Sequence, residues 1–104
     1  MDRNLDTIYF RAERNGKWKN ICFTDLDSVN VNNILQNKSE EWLVSLENLL
    51  WEVLSDLYRI IGEVPLRFTD TAKDIETFNG TRTKILLLRA LIRIIAEEYN
   101  IVGE

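Results

Sequence analysis

The dipeptide Asn15-Gly16 constrains the fold of this chain more than any other sequence feature, because apolar and polar residues alternate on both sides of it. Asn-Gly supplies the two positive-φ positions of a type I′ turn. Alternation with a period of two is typical of a strand that is buried on one face. The segment from Thr7 to Phe23 is therefore predicted to form a β-hairpin.

The predicted turn places Phe10 opposite Ile21 and gives the hairpin two different faces. The face expected to cover the core carries Ile8, Phe10, Ala12, Lys19, Ile21 and Phe23. The opposite face carries Tyr9, Arg11, Glu13, Trp18, Asn20 and Cys22. Arg11 lies diagonal to Trp18 and can stack on its ring. Because a two-stranded hairpin is marginal in water, helices or another strand must cover its apolar face.

Two long helices are predicted after the hairpin. The first begins after the N-cap Ser39 and ends at Ile61, before Gly62. Its predicted core stripe is Leu43, Leu46, Leu50, Val53, Leu57 and Ile60. The second helix runs from about Thr81 to Asn100, and its apolar residues cover so much of its circumference that we expect burial on most sides.

The segment from Thr24 to Gln36 gives two conflicting signals. Thr24 and Asp27 could cap a helix, whereas Val29 and Val31 alternate with polar residues as in a strand. We interpret the segment as a short, frayed helix. Asp25 and Asp27 resemble the start of a calcium loop. Val29, however, stands where a third oxygen ligand is needed, so we predict no calcium site.

Pro65 favours an extended segment from Glu63 to Phe68, and a short third edge strand is an open alternative there. A short helix capped by Thr69 or Asp70 is predicted to follow, with its apolar side formed by Ala72, Ile75 and Phe78. Together these elements predict an α+β fold in which the hairpin packs on a long central helix and a buried C-terminal helix. The length of 104 residues, without repeats or linkers, predicts one domain over residues 1–104.

The composition argues against most catalytic chemistry, because the chain has no histidine and a single cysteine, Cys22. This excludes histidine general bases, Ser-His or Cys-His pairs and ordinary zinc sites. The sequence also lacks phosphate-loop, dinucleotide and CxxC motifs. We therefore predict a protein that is not an enzyme and needs no cofactor or metal, with Cys22 as a small buried residue.

The N-terminal residues show no secretory signal, and no apolar run is long enough to span a membrane. A cytoplasmic protein is expected. The net charge of -4 argues against direct binding to nucleic acid.

Two sets of residues are candidates for contact with a protein partner. Tyr9, Arg11 and Trp18 combine aromatic and cationic side chains on one hairpin face, the composition typical of interface anchors. Glu52 and Asp56 lie one turn apart on an acidic helix strip that could meet a basic surface. The simpler interpretation of that strip is a solvated helix face.

Arg82, Arg89 and Arg93 follow one another at helical spacing in the last helix. They could hold a small anion such as a nucleotide between neighbouring subunits. The simpler interpretation is that they keep a very apolar helix soluble.

The sequence F-R-A-E-R-N-G-K-W-K-N-I-C-F-T-D-L from Phe10 to Leu26, followed by S-E-E-W-L from Ser39, resembles the opening of small phage and prophage accessory proteins of Gram-positive hosts. The resemblance implies an accessory factor or an inhibitor of host defences, a class that includes anti-CRISPR proteins. It identifies no functional residue. We expect a module that binds a protein partner, such as a host defence complex that handles nucleic acid. The alternatives are a homo-oligomeric structural module, since the apolar helix arcs are wide, and a protein that sequesters nucleotides.

Overall fold

The computed structural model describes residues 2–103, which form a β-hairpin followed by four α-helices. The elements are β1 (Tyr9–Arg14), β2 (Lys17–Cys22), α1 (Ser28–Leu35), α2 (Glu40–Ile61), α3 (Leu66–Glu76) and α4 (Thr81–Glu98). A short 3₁₀ turn, Phe23–Asp25, joins β2 to α1. The predicted α+β class is therefore confirmed. Within this part of the chain, no helix is long and apolar enough to span a membrane.

The hairpin has the predicted turn and register. Asn15 and Gly16 have φ angles of 54° and 77°, as a type I′ turn requires. Phe10 is paired with Ile21, and the Phe23 N–H donates to the Ile8 carbonyl at 2.9 Å. The inner face, which is the one predicted to cover the core, buries Ala12, Ile21 and Phe23 but not Lys19, which lies next to the turn and is exposed. Cys22 of the opposite face is fully buried, because the segment around Asp6 covers it.

Side-chain caps explain where the first two helices begin. The Asp27 carboxylate accepts from the Asn30 N–H at 2.8 Å and starts α1. The Ser39 hydroxyl accepts from the Trp42 N–H at 3.1 Å and starts α2. Gly62 has a φ of 83° and follows the last residue of α2. These observations confirm the predicted helix over Ser39 to Ile61 and the interpretation of the preceding segment as a short helix.

The predicted core stripe of α2 is wrong toward its C-terminal end. Leu54 is buried, Val53 is only half-buried, and Ile60 is 65% exposed. A stripe that alternates steps of three and four residues drifts by about 20° in every seven residues of a straight helix. At Ile60 the accumulated drift points the side chain toward solvent. Leu54, which follows Leu50 by four residues, stays on the buried side of the helix.

The third strand is not formed. The sheet of residues 2–103 contains only β1 and β2, and α3 begins at Leu66, directly after Pro65. Proline suits the start of a helix because the first N–H groups have no partner inside the helix. Phe68, Ala72 and Ile75 form the buried side of α3. Neither Thr69 nor Asp70 is the cap, and Phe78 lies beyond the helix and is 48% exposed.

Helix α4 packs against both α2 and α3 and also contacts the 3₁₀ turn. Its buried residues are Ile85, Leu88, Arg89, Leu91, Ile92, Ile95 and Ala96. One side of α4 remains open, with Ala90 exposed and Ile94 55% exposed. The C-terminal helix is thus a core element with one free face.

Candidate functional site

The outer face of the hairpin presents the three predicted contact residues to solvent. Trp18 is 61% exposed and Tyr9 is 53% exposed, and Arg11 is also exposed. The strand register places all three on the same face, as the alternation predicted. Within residues 2–103, the cation–π contacts are those of Lys38 with Trp42 and of Arg67 with Phe68, and Arg11 does not stack on Trp18. The Arg11 guanidinium therefore stays available to a partner.

Aromatic contacts fix the inner face of the hairpin to the helices. The Phe10 ring lies 5.9 Å from the Phe23 ring and 6.2 Å from the Trp42 ring of α2, measured between centroids. Tilted aromatic pairs at these distances add stabilising free energy beyond that of the apolar area they bury. The outer face is consequently presented on a backbone that is held at a defined orientation.

A buried carboxylate, Asp6, holds the base of the hairpin to the 3₁₀ turn. One oxygen accepts from the N–H groups of Ile8 at 2.9 Å and Phe23 at 3.2 Å. The other accepts from the Thr24 N–H at 3.0 Å and the Thr24 hydroxyl at 2.7 Å. Asp6 is only 3% exposed, and four hydrogen bonds offset the cost of burying its carboxylate.

Cys22 lies beside this network and is fully buried. Its thiol donates to the Asp6 carbonyl at 2.8 Å. Burial and the nearby Asp6 carboxylate raise the pKa of Cys22 to about 11. A buried thiol with a raised pKa is a poor nucleophile, and the prediction of a small buried residue is confirmed.

The acidic strip lies on the exposed side of α2. Glu52 and Asp56 are both exposed, and Asp56 forms an ion pair with Arg59 one turn further on. Glu52 and Asp56 also border a shallow depression against the segment from Leu5 to Ile8. Because Asp56 already has a cationic neighbour, Glu52 carries more of the strip's free negative charge.

The structure does not bring the hairpin residues and the acidic strip into one site. The inner hairpin face packs on α2 through Phe10 and Trp42, so Tyr9, Arg11 and Trp18 point away from that helix. The two predicted contact sets are separate surfaces of one molecule.

The three arginines of α4 also do not converge. Arg82 donates to the Leu35 carbonyl at 3.2 Å. Arg89 is 7% exposed and donates to the Leu26 carbonyl, and its burial lowers its pKa. Two of the three guanidiniums therefore fasten the segment around α1 to α4. Arg89 is not on the surface where an anion would bind.

Arg93 lies on the edge of a polar pocket of about 520 Å³ formed with residues near both ends of the described chain. The pocket also contains Arg3, Arg14 and three carboxylates. Arg3 donates to the carbonyls of Ala96 and Ile101 at 3.3 and 3.2 Å, and both carboxylate oxygens of Asp2 accept from Arg14 at 2.7 Å. With positive and negative groups in equal number, the pocket offers an anion little net attraction.

Sequence reasoning missed the role of the acidic residues near the hairpin. No local motif marks Asp6, and the spacing of Asp25 and Asp27 resembles only the start of a calcium loop. Asp25 in fact accepts from the backbone N–H groups of Arg3 and Asn4, both at 2.9 Å. Among residues 2–103, no cluster of three or more histidine, cysteine or acidic side chains could hold a metal ion.

Comparison with known proteins gives no relative from which to infer a role: no family model, curated protein or solved structure matches the chain.

Proposed function

We propose that this protein is a non-catalytic binding module that contacts a protein partner through the outer face of its hairpin. One observation carries the proposal: two large aromatic side chains, Tyr9 and Trp18, lie more than half in solvent on a well-anchored strand pair. Leaving apolar ring surface in water costs free energy, at about 25 cal/mol for each Å². Burial of these rings against a partner would recover that free energy.

The chemistry of this face suits an interface anchor. Tryptophan, tyrosine and arginine are the residues most enriched among those that dominate binding energy. The rings sit on opposite strands, and the paired backbone limits the entropy that is lost on binding. Trp18 and Tyr9 would fill pockets on the partner, while Arg11 would donate to its carboxylates or carbonyls.

The resemblance to phage accessory proteins extends the proposal to the kind of partner. An inhibitor of a host defence complex that handles nucleic acid would meet a basic surface, because such complexes neutralise phosphates. The acidic strip of Glu52 and Asp56 supports this choice by charge complementarity. Because Glu52 and Asp56 border the segment from Leu5 to Ile8, a partner that contacts both surfaces must extend from the outer hairpin face across this segment to α2.

The test compares two double variants of the chain as bait in lysates of Gram-positive hosts. Arg11→Ala with Trp18→Ala removes the proposed anchor. Leu66→Ala with Lys73→Ala removes an equivalent apolar and cationic pair from α3, where both residues are exposed. We expect the wild type and the α3 variant to retain the same partner and the hairpin variant to lose it, with circular dichroism showing that all three chains are folded.

Equal recovery of the partner by both double variants would show that the hairpin face is not the contact. The charge component is tested separately with Glu52→Gln and Asp56→Asn. These changes should weaken capture at low salt more than at high salt, because screening already reduces the attraction in the second case.

A further inference from the structure

The outer edge of β2 is open to solvent along consecutive residues. The sheet of residues 2–103 contains only β1 and β2, so each strand has one edge that no further strand covers. Exposed residues of β1 alternate with buried or half-buried ones, whereas Lys17, Trp18, Lys19 and Asn20 of β2 are all exposed. These residues of β2 form the open edge of the hairpin.

The register shows which backbone groups point outward from the open edge. In an antiparallel pair, the residues that exchange hydrogen bonds with the partner strand recur at every second position. The Phe23 N–H donates to the Ile8 carbonyl at 2.9 Å, so Trp18 and Asn20, at the intervening positions, direct their N–H and C=O groups away from β1. No backbone group in another segment of residues 2–103 bonds to them. The open edge therefore offers both donors and acceptors to a partner.

The open edge is also positively charged, although the whole chain has a net charge of -4. Strand alternation places Lys17 and Lys19 on one side of β2 and the Trp18 ring on the other. Among residues 2–103, the cations that form ion pairs are Arg14, Arg59 and Arg67. Both lysine ammonium groups thus remain available to carboxylates of a partner.

These lysines disfavour a second copy of the chain at the open edge. Two β2 strands paired edge to edge would bring Lys17 and Lys19 against the same residues of the other copy, and like charges that face each other destabilise strand pairing. Lysines on an edge strand are a common protection against such self-association. Charge complementarity instead favours a strand with carboxylates.

We propose that an extended acidic segment of the partner adds to the open edge as a third strand. This inference rests on the proposed function, because it states how the partner of the hairpin would be held. The backbone of the added segment would pair with Trp18 and Asn20. Carboxylates at alternate positions would face Lys17 and Lys19, and apolar side chains between them would lie beside the Trp18 ring.

The first experiment is an NMR titration of the full chain with a short peptide of alternating glutamate and valine. We expect the amide signals of Trp18 and Asn20 to shift, and a peptide with lysine in place of glutamate to leave them unchanged. The absence of shifts at millimolar glutamate peptide would overturn the proposal. Shifts caused by an oligothymidylate but not by the glutamate peptide would also overturn it, since phosphates need only the lysines and the aromatic ring.

The second experiment tests the backbone pairing with two methylated forms of the glutamate peptide. Residues directly opposite each other share a face of the sheet, so valines beside Trp18 would direct their N–H groups toward β2 and the glutamates would direct theirs away. N-methylation of the valines should weaken binding about tenfold or more. N-methylation of the glutamates is the matched control and should preserve the affinity. Equal affinities of the two methylated peptides would overturn strand addition.

Two proline variants of the protein separate strand addition from the proposed function. Asn20→Pro removes an outward N–H from the open edge, and Glu13→Pro removes an outward N–H from the opposite edge, on β1. Proline is tolerated at such positions of edge strands. We expect Asn20→Pro to bind the glutamate peptide about fivefold more weakly and Glu13→Pro to bind it like the wild type. Unchanged binding by Asn20→Pro would reject strand addition. The proposed function would still stand if Arg11→Ala with Trp18→Ala loses the partner in lysates, because that result depends on the outer face alone.

Discussion

The residues before α2 share one apolar core with helices α2, α3 and α4, but they are held in addition by hydrogen bonds between charged side chains and backbone groups. Asp6 and Asp25 bind backbone N–H groups within the first part, and Arg82 and Arg89 of α4 donate to its Leu35 and Leu26 carbonyls. Helices α2 and α4 instead pack through leucine and isoleucine side chains that are almost fully buried. The comparison shows that directional hydrogen bonds fix the base of the hairpin in a part of the chain whose apolar residues, such as Phe23, Leu26 and Leu35, are also buried in the common core.

The difference matters for the proposed contact face. A hydrogen-bonded attachment depends on a few atoms, whereas an apolar core spreads its stabilisation over many contacts. Loss of one carboxylate should therefore free the hairpin base, while the helices keep their packing. The hairpin face is expected to be the part of the molecule that is most easily released by one substitution.

The largest predicted effect is that of Asp6→Asn. The substitution keeps the side-chain size but turns one acceptor into a donor that faces N–H or O–H groups. Buried donors without partners then remain at Phe23 or Thr24. We expect the free energy of unfolding to fall by about 3 kcal/mol, measured by urea denaturation. Amide exchange should accelerate at these two residues more than in α2 and α4.

Asp70→Asn is the matched control, because Asp70 is exposed on α3 and its change should stay within about 0.5 kcal/mol. A similar small loss for Asp6→Asn would mean that the carboxylate does not hold the hairpin base. Uniform acceleration of exchange in both parts would mean that the two parts unfold together.

Local patterns in the sequence were sufficient to predict the hairpin and the long helix. Asn15-Gly16 fixes a turn, and alternation on either side fixes which face is buried. Ser39 and Gly62 mark the ends of α2 by the conformations that they favour. The exposed Tyr9, Arg11 and Trp18 were placed correctly for the same reason, because face assignment in a strand needs only the register.

Features that depend on distant partners could not be predicted in this way. The Asp6 carboxylate binds residues 17 and 18 positions further along the chain, and no periodicity marks such a pair. The charge of Arg89 predicts an exposed side chain, but Arg89 is buried and donates to the Leu26 carbonyl, 63 positions away along the chain. Pro65 is compatible both with an extended segment and with a helix start, and the packing of Phe68 decides between them.

A smaller effect is predicted for the pH dependence of stability, which reports on Cys22 in the hydrogen-bonded part. The thiol has a pKa of about 11 in the folded protein and an ordinary pKa near 8.5 in the unfolded chain. The folded state therefore holds the proton more tightly. The contribution of Cys22 to the free energy of unfolding should be fully present below about pH 8.5. It should be lost as the pH rises toward the folded-state pKa of about 11.

Thermal unfolding of the wild type and of Cys22→Ala, measured from pH 7.5 to about pH 10.5, isolates this contribution. We expect the melting temperature of the wild type to fall more steeply above about pH 8.5 than that of the variant. Parallel curves would show that the thiol has the same pKa in the folded and unfolded states.

The smallest effect is predicted for the apolar part, at Tyr58 of α2. Among the buried side-chain atoms of residues 2–103, the Tyr58 hydroxyl has no hydrogen-bond partner, and its burial raises the pKa of this group. Tyr58→Phe removes an unpaired polar atom and keeps the ring, so we expect a gain of roughly 0.5 kcal/mol in urea denaturation. Tyr99→Phe, at a ring that is 40% exposed, should change nothing. A loss of stability for Tyr58→Phe would show that its hydroxyl is bonded, and the helices would then also depend on a directional polar contact.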